Sequence, residues 1–83
     1  MSDKLTFARE LVQNSLKLIE RVLFNKPLAI TPSGKIQTKT LSQLIDHMLI
    51  LRWHLTTRTN IVKRRHELAL RICQITIADL YEL

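Results

Sequence analysis

Three stretches of the 83-residue chain repeat apolar side chains at helical spacing, and one stretch between the first two does not. In residues 3–24, Leu5, Ala8, Leu11, Val12, Ser15, Leu18, Ile19, Val22 and Leu23 recur every three or four positions. Arg9, Glu10, Gln13, Asn14, Lys17, Glu20 and Arg21 take the other side. This pattern predicts an amphipathic helix with a solvated back, which Ser2 or Asp3 can cap.

Residues 40–66 predict a second, longer helix. Thr40-Leu-Ser-Gln43 has the form of a capping box, in which the Thr hydroxyl and the Gln side chain satisfy free backbone donors. At about 100° per residue, Leu41, Leu44, Ile45, Met48, Leu51, Leu55 and Val62 form an apolar arc. Beside it, His47, His54, Arg58 and Arg65 fall within a strip roughly 40° wide and roughly 27 Å long. Thr56-Thr57-Arg58-Thr59-Asn60 is a run of poor helix formers. The helix continues through it, kinks, or breaks with Asn60 recapping; continuation is the expectation.

Residues 67–82 predict a short closing helix. Leu68, Ala69, Leu70, Ile72, Cys73, Ile75, Ile77, Ala78, Leu80 and Tyr81 cover nearly its whole circumference. The β-branched run Ile75-Thr76-Ile77 also permits a strand, but the flanking Leu, Ala and Glu favour helix. A helix apolar all round is buried on several sides, more than one small subunit covers. A two-fold dimer through Leu68, Ile72, Ile75 and Leu80 is therefore expected.

In the connection 25–39, Pro27 and Pro32 resist helix, and Thr31-Pro32-Ser33-Gly34 has the form of a tight turn. Leu28–Ile30 and Lys35–Gln37 can pair around it as a small hairpin. Ser33-Gly34-Lys35 lacks the flanking residues of a phosphate-binding loop. The fold class is all-α: one domain over 1–83, ordered helix, loop, long helix, short helix, and dimerising into an arrangement like a four-helix bundle.

Composition adjusts this picture little. A hydrophobic fraction of 46%, with one Gly and two Pro, is that of a folded chain. A domain this small buries only about 60–65% of its unfolded surface, a second reason to expect a partner subunit. Cys73 is the only cysteine, which excludes an intramolecular disulfide and fits a reducing compartment such as the cytoplasm. The polar, periodic start is unlike a signal peptide, and the run Met48–Leu51 is too short to span a bilayer, so no membrane partner is expected.

Charge changes the picture more. Thirteen Lys and Arg face seven Asp and Glu, a formal +6. The surplus is concentrated in residues 52–71, at Arg52, Arg58, Lys63, Arg64, Arg65 and Arg71 with His54 and His66, against Glu67 alone. As phosphate contacts these supply affinity without sequence choice. Sparse aromatics, 5% of residues, disfavour reading of single strands by stacking. A duplex recognised by shape fits better. Trp53 is expected in the core or a dimer interface.

Catalysis needs converging reactive groups. Cys73 and His66, and likewise His47 and His54, are seven residues apart, about 10 Å along a helix. That is too far for a nucleophile–base pair or for one metal, and no third ligand stands out. No enzyme, cofactor or metal is expected. The expected nucleic-acid contacts are Arg58, Lys63, Arg64 and Arg65, assisted by His47, Arg52 and His54.

The plan resembles the insect nodavirus suppressors of RNA silencing. Met-Ser-Asp-Lys-Leu-Thr-Phe-Ala-Arg-Glu-Leu looks like that family's short polar start, with Lys4-Leu5 and then Glu10-Leu11. The order of a long helix, a Pro-containing connection, a longer basic helix and a short closing helix is also similar. The resemblance implies a helical homodimer that lays its second helices along double-stranded RNA and shields it from the silencing machinery in the host cytoplasm. The connection here is longer, and the closing helix is more apolar, than the family's pattern. Two alternatives stand beside it: a protein-interaction module docking through its apolar closing helix, and a helix-turn-helix regulator that binds DNA.

Overall fold

The computed structural model describes residues 2–23, 40–57 and 63–83, and side chains within them from residue 4 onward except that of Lys63. All of the regular structure among these residues is helical: α1 is Ser2–Leu23, α2 is Leu41–Thr57 and α3 is Lys63–Tyr81. The tight turn and hairpin of the connection and the recapping by Asn60 lie outside the described residues, as do the side chains of Ser2 and Asp3 that would form the expected cap. Ile75-Thr76-Ile77 is helix, not strand.

The capping box at the start of α2 forms as its residues predict. The Gln43 backbone N–H donates to Thr40 Oγ1 at 3.1 Å, and the Thr40 N–H donates to Gln43 Oε1 at 3.2 Å. Two backbone donors with no helical partner are thereby satisfied.

The long second helix is corrected. α2 has 17 residues and α3 has 19, so the stretch expected as one helix over 40–66 is shared between two. The chain reverses between Thr57 and Lys63, because the Cys73 thiol of α3 donates to the Met48 carbonyl of α2 at 3.3 Å. In one continuous helix those residues would stand about 37 Å apart. The poor helix formers mark the place. Thr56 Oγ1 donates to the Arg52 carbonyl at 2.7 Å, and Thr57 Oγ1 donates to the His54 carbonyl at 3.2 Å. These hydroxyls bond back to carbonyls of the preceding turn, side-chain bonds that compete with the helix ladder near its end.

The reversal makes a hairpin, not a helix-turn-helix crossing. Met48 and Cys73 lie about 13 and 15 Å from the ends of their helices at the turn. Helices meeting at a right angle would hold such points about 20 Å apart; here they touch. α3 packs against both α1 and α2, and α1 meets α2 less extensively. Buried side chains come from one face of each helix: Ala8, Val12, Leu16, Ile19 and Leu23; Leu44, Met48, Leu51 and Leu55; Ala69, Cys73, Ile77 and Leu80. Each large aliphatic among them contributes about 1.5–3 kcal/mol of transfer free energy. Leu18, expected in the core, is exposed, because it lies about 110° from the centre of the buried face that Leu16 shares.

One polar pair crosses the core. The Thr76 hydroxyl donates to the Ile72 carbonyl at 2.9 Å, so its proton is committed, and the Ser15 hydroxyl donates to Thr76 Oγ1. The shortest dimension of the fold is 15 Å. Two helix layers, with axes about 8–10 Å apart, fill that thickness. Each of the three helices therefore keeps one face that the other two do not cover.

Candidate nucleic-acid interface

The hairpin redistributes the residues expected to touch a duplex. The strip His47–His54–Arg58–Arg65 does not exist as one helical face, since Arg65 is on α3 and Arg58 lies outside the described residues. His47 is half-buried, and its Nε2 is buried with no hydrogen-bond partner. Burial lowers its pKa below the ordinary 6.5, which favours the neutral ring. His54 is also half-buried; its ring meets Trp53 edge-on, centroids 5.1 Å apart. Trp53 itself is exposed, not core.

Arg52, Arg64, Arg65 and Arg71 are exposed. Arg64 and Arg71 are seven residues apart on α3 and so point within about 20° of one another, two turns apart. Arg52 lies on the flank of α2 that faces α3, near enough to Cys73 for its guanidinium to act on the thiol. The outer surface of the α2–α3 hairpin thus carries Arg52, Arg64 and Arg71 on two adjacent helices. Arg71 was not among the expected contacts; its seven-residue spacing from Arg64 is the signal that marks it. Arg65 points about 100° away from Arg64, toward α1.

The charge of α3 runs against its own macrodipole. Lys63, Arg64 and Arg65 crowd the first turn, which carries no acid, while Asp79 and Glu82 sit at the other end, where no base lies in the last turn. Cations at a helix N-terminus and anions at its C-terminus are each unfavourable by about 0.3–1 kcal/mol. The arrangement therefore does not serve helix stability.

No group of three or more His, Cys, Asp or Glu able to hold a metal occurs among the described residues. No described helix is long and apolar enough to cross a membrane. Of the expected dimer contacts, Leu68 and Ile75 are exposed and Ile72 is half-buried. Leu80 is fully buried in its own chain. Its place on the core face of α3 withdraws it from any interface between subunits. Comparison of the chain with protein-family models, with curated proteins and with solved structures finds no match.

Proposed function

We propose that the protein binds duplex nucleic acid, double-stranded RNA before DNA, through charge and shape and without sequence choice. The observation that carries this reading is the basic surface of the hairpin, where the exposed Arg52 of α2 and Arg64 and Arg71 of α3 outnumber the one acid beside them, Glu67. Exposed guanidinium groups two turns apart match successive phosphates along a groove edge better than they match a compact ligand. The opening residues, with Lys4-Leu5 and Glu10-Leu11, resemble the start of the nodavirus suppressors; that likeness, and not the order of helix lengths, supports RNA over DNA and extends the proposal to shielding of viral duplexes in a host cytoplasm.

A second reading has its own observation. Ile50 and Trp53 lie exposed on the outer face of α2, about 60° apart, where a protein partner would find an aromatic anchor. This favours the interaction module over the helix-turn-helix regulator, whose crossed helices the hairpin does not have.

A gel-shift panel of duplex RNA, duplex DNA and single strands separates the readings. Duplex RNA is expected to bind most tightly, with log K falling against log salt at a slope of about −0.9 per phosphate neutralised. Replacing Arg52, Arg64 and Arg71 together by Gln should abolish the shift while circular dichroism stays helical. Tight binding that ignores salt, or a triple variant binding like the parent, overturns the proposal in favour of the interaction module.

A further inference from the structure

We infer that the outer flank of α1 docks an acidic amphipathic helix of another protein. The inference rests neither on duplex binding nor on the exposed pair Ile50 and Trp53 of α2. Lys4, Phe7, Leu11, Asn14, Leu18 and Arg21 follow one another at alternating steps of three and four residues, the a/d spacing of a helix–helix seam. Phe7 is 55% and Leu18 48% exposed, although the core face of the same helix is already packed through Ala8, Val12, Leu16, Ile19 and Leu23. A surface helix of a folded domain needs one apolar stripe; α1 carries a second.

The neighbouring helix makes one wall of this surface. Ser15 and Thr76 mark the flanks on which α1 and α3 meet. Leu11 and Val22 of α1 lie within about 40° of Ser15, and Ile72 of α3 lies about 40° from Thr76; all three are half-buried. They floor a shallow apolar groove, from which Phe7 and Leu18 stand out. Ile72 is about 80–100° around α3 from Arg64 and Arg71, so the groove and the basic hairpin surface open in different directions. A groove of this kind takes a helix by its apolar stripe.

Charge selects the occupant. Among the described residues bordering the groove, Lys4, Lys17, Arg21 and Arg65 are basic, and Glu10 and Asp79 are acidic. A helix with Asp or Glu opposite Lys4, Lys17 and Arg21 is complementary, and a like-charged one is repelled. A second copy of α1 fits in neither direction. Parallel, it sets Lys4, Lys17 and Arg21 each against itself. Antiparallel, it sets Lys4 against Arg21 at both ends and lays Asn14 against Leu11. The Glu10–Lys17 contacts it would gain lie at an exposed rim, where such pairs contribute little. A single Asn within an apolar seam fixes register, so the occupant carries a polar side chain opposite Asn14.

The test is peptide binding to the full chain, read by fluorescence anisotropy without nucleic acid. The probe is a labelled three-heptad helical peptide with Leu at the seam positions, Asn opposite Asn14 and Glu at the flanking positions. The controls are the same peptide with Lys in place of Glu, and the segment Ser2–Leu23 itself. The acidic peptide should bind at micromolar concentration, and both controls about tenfold more weakly or worse. Phe7→Lys and Leu18→Lys should each lose the acidic peptide while circular dichroism stays helical, since both sites are exposed. Lys17→Glu/Arg21→Glu should reverse the preference, toward the basic peptide. Arg52→Gln/Arg64→Gln/Arg71→Gln should bind the acidic peptide like the parent, which keeps this inference and the duplex proposal separable. Equal binding of acidic and basic peptides, Phe7→Lys and Leu18→Lys binding like the parent, an unchanged preference after charge reversal, or loss of the peptide by the triple Arg variant would each overturn the inference. Tightest binding by the Ser2–Leu23 segment would overturn it in favour of a second copy.

Discussion

The Cys73 thiol donates to the Met48 carbonyl across the α2–α3 contact at 3.3 Å. That contact, between residues 25 apart, distinguishes a hairpin from a rod of two end-to-end helices. Cys73 is fully buried, and burial pushes its pKa from 9.0 up to about 11, with Arg52 opposing. The folded chain thus keeps a proton that the unfolded chain releases near pH 9. Stability is complete below pH 9 and falls as pH rises from there toward 11. Relative to Cys73→Ala, the parent should lose about 1 kcal/mol between pH 8 and 10, measured by urea unfolding. A thiol reagent at pH 8 should react only at the rate of global or local opening.

His47 behaves in the opposite sense. Its pKa is lowered by burial, so the unfolded chain takes up a proton near pH 6.5 that the folded chain refuses. The stabilising contribution is present above that pH and lost as pH falls through it. His47→Leu should flatten the stability difference between pH 7.5 and 5.0. It should cost little at pH 7.5, because it removes a buried ring nitrogen that has no partner. Paired urea midpoints at the two pH values measure both effects.

Ser15 and Thr76 act as a unit. Thr76→Val leaves the buried Ser15 hydroxyl without its acceptor and should cost about 1–3 kcal/mol. The double change Ser15→Ala/Thr76→Val should be less destabilising than the two single costs combined. A double-mutant cycle by chemical denaturation reads the coupling directly.

Thr40→Ala should destabilise by about 1 kcal/mol, since it removes the acceptor of the Gln43 N–H, whereas Thr40→Ser should be nearly neutral. Amide exchange should rise first at the N–H groups of the opening turn of α2.

Local chemistry was legible in the chain. The three-and-four spacing of apolar residues predicts all three helices, because a helix with one buried face needs that period whatever it packs against. Thr40 and Gln43 predict their own cap, because both partners lie within one turn. The Thr56–Asn60 run showed where α2 would weaken, since backbone propensity is also local. Whether the chain would run on or turn back there was not legible. That was decided by what α3 gains on burying Ala69, Cys73, Ile77 and Leu80 against α1 and α2, a gain that depends on residues far away in sequence. The same packing took Leu80 into the core, left Leu68, Ile75 and Trp53 outside, buried His47 and split the predicted basic strip between two helices. Helical period says which side chains share a face; only the other helices, occupying two layers 15 Å thick, decide which face they cover and which they leave exposed.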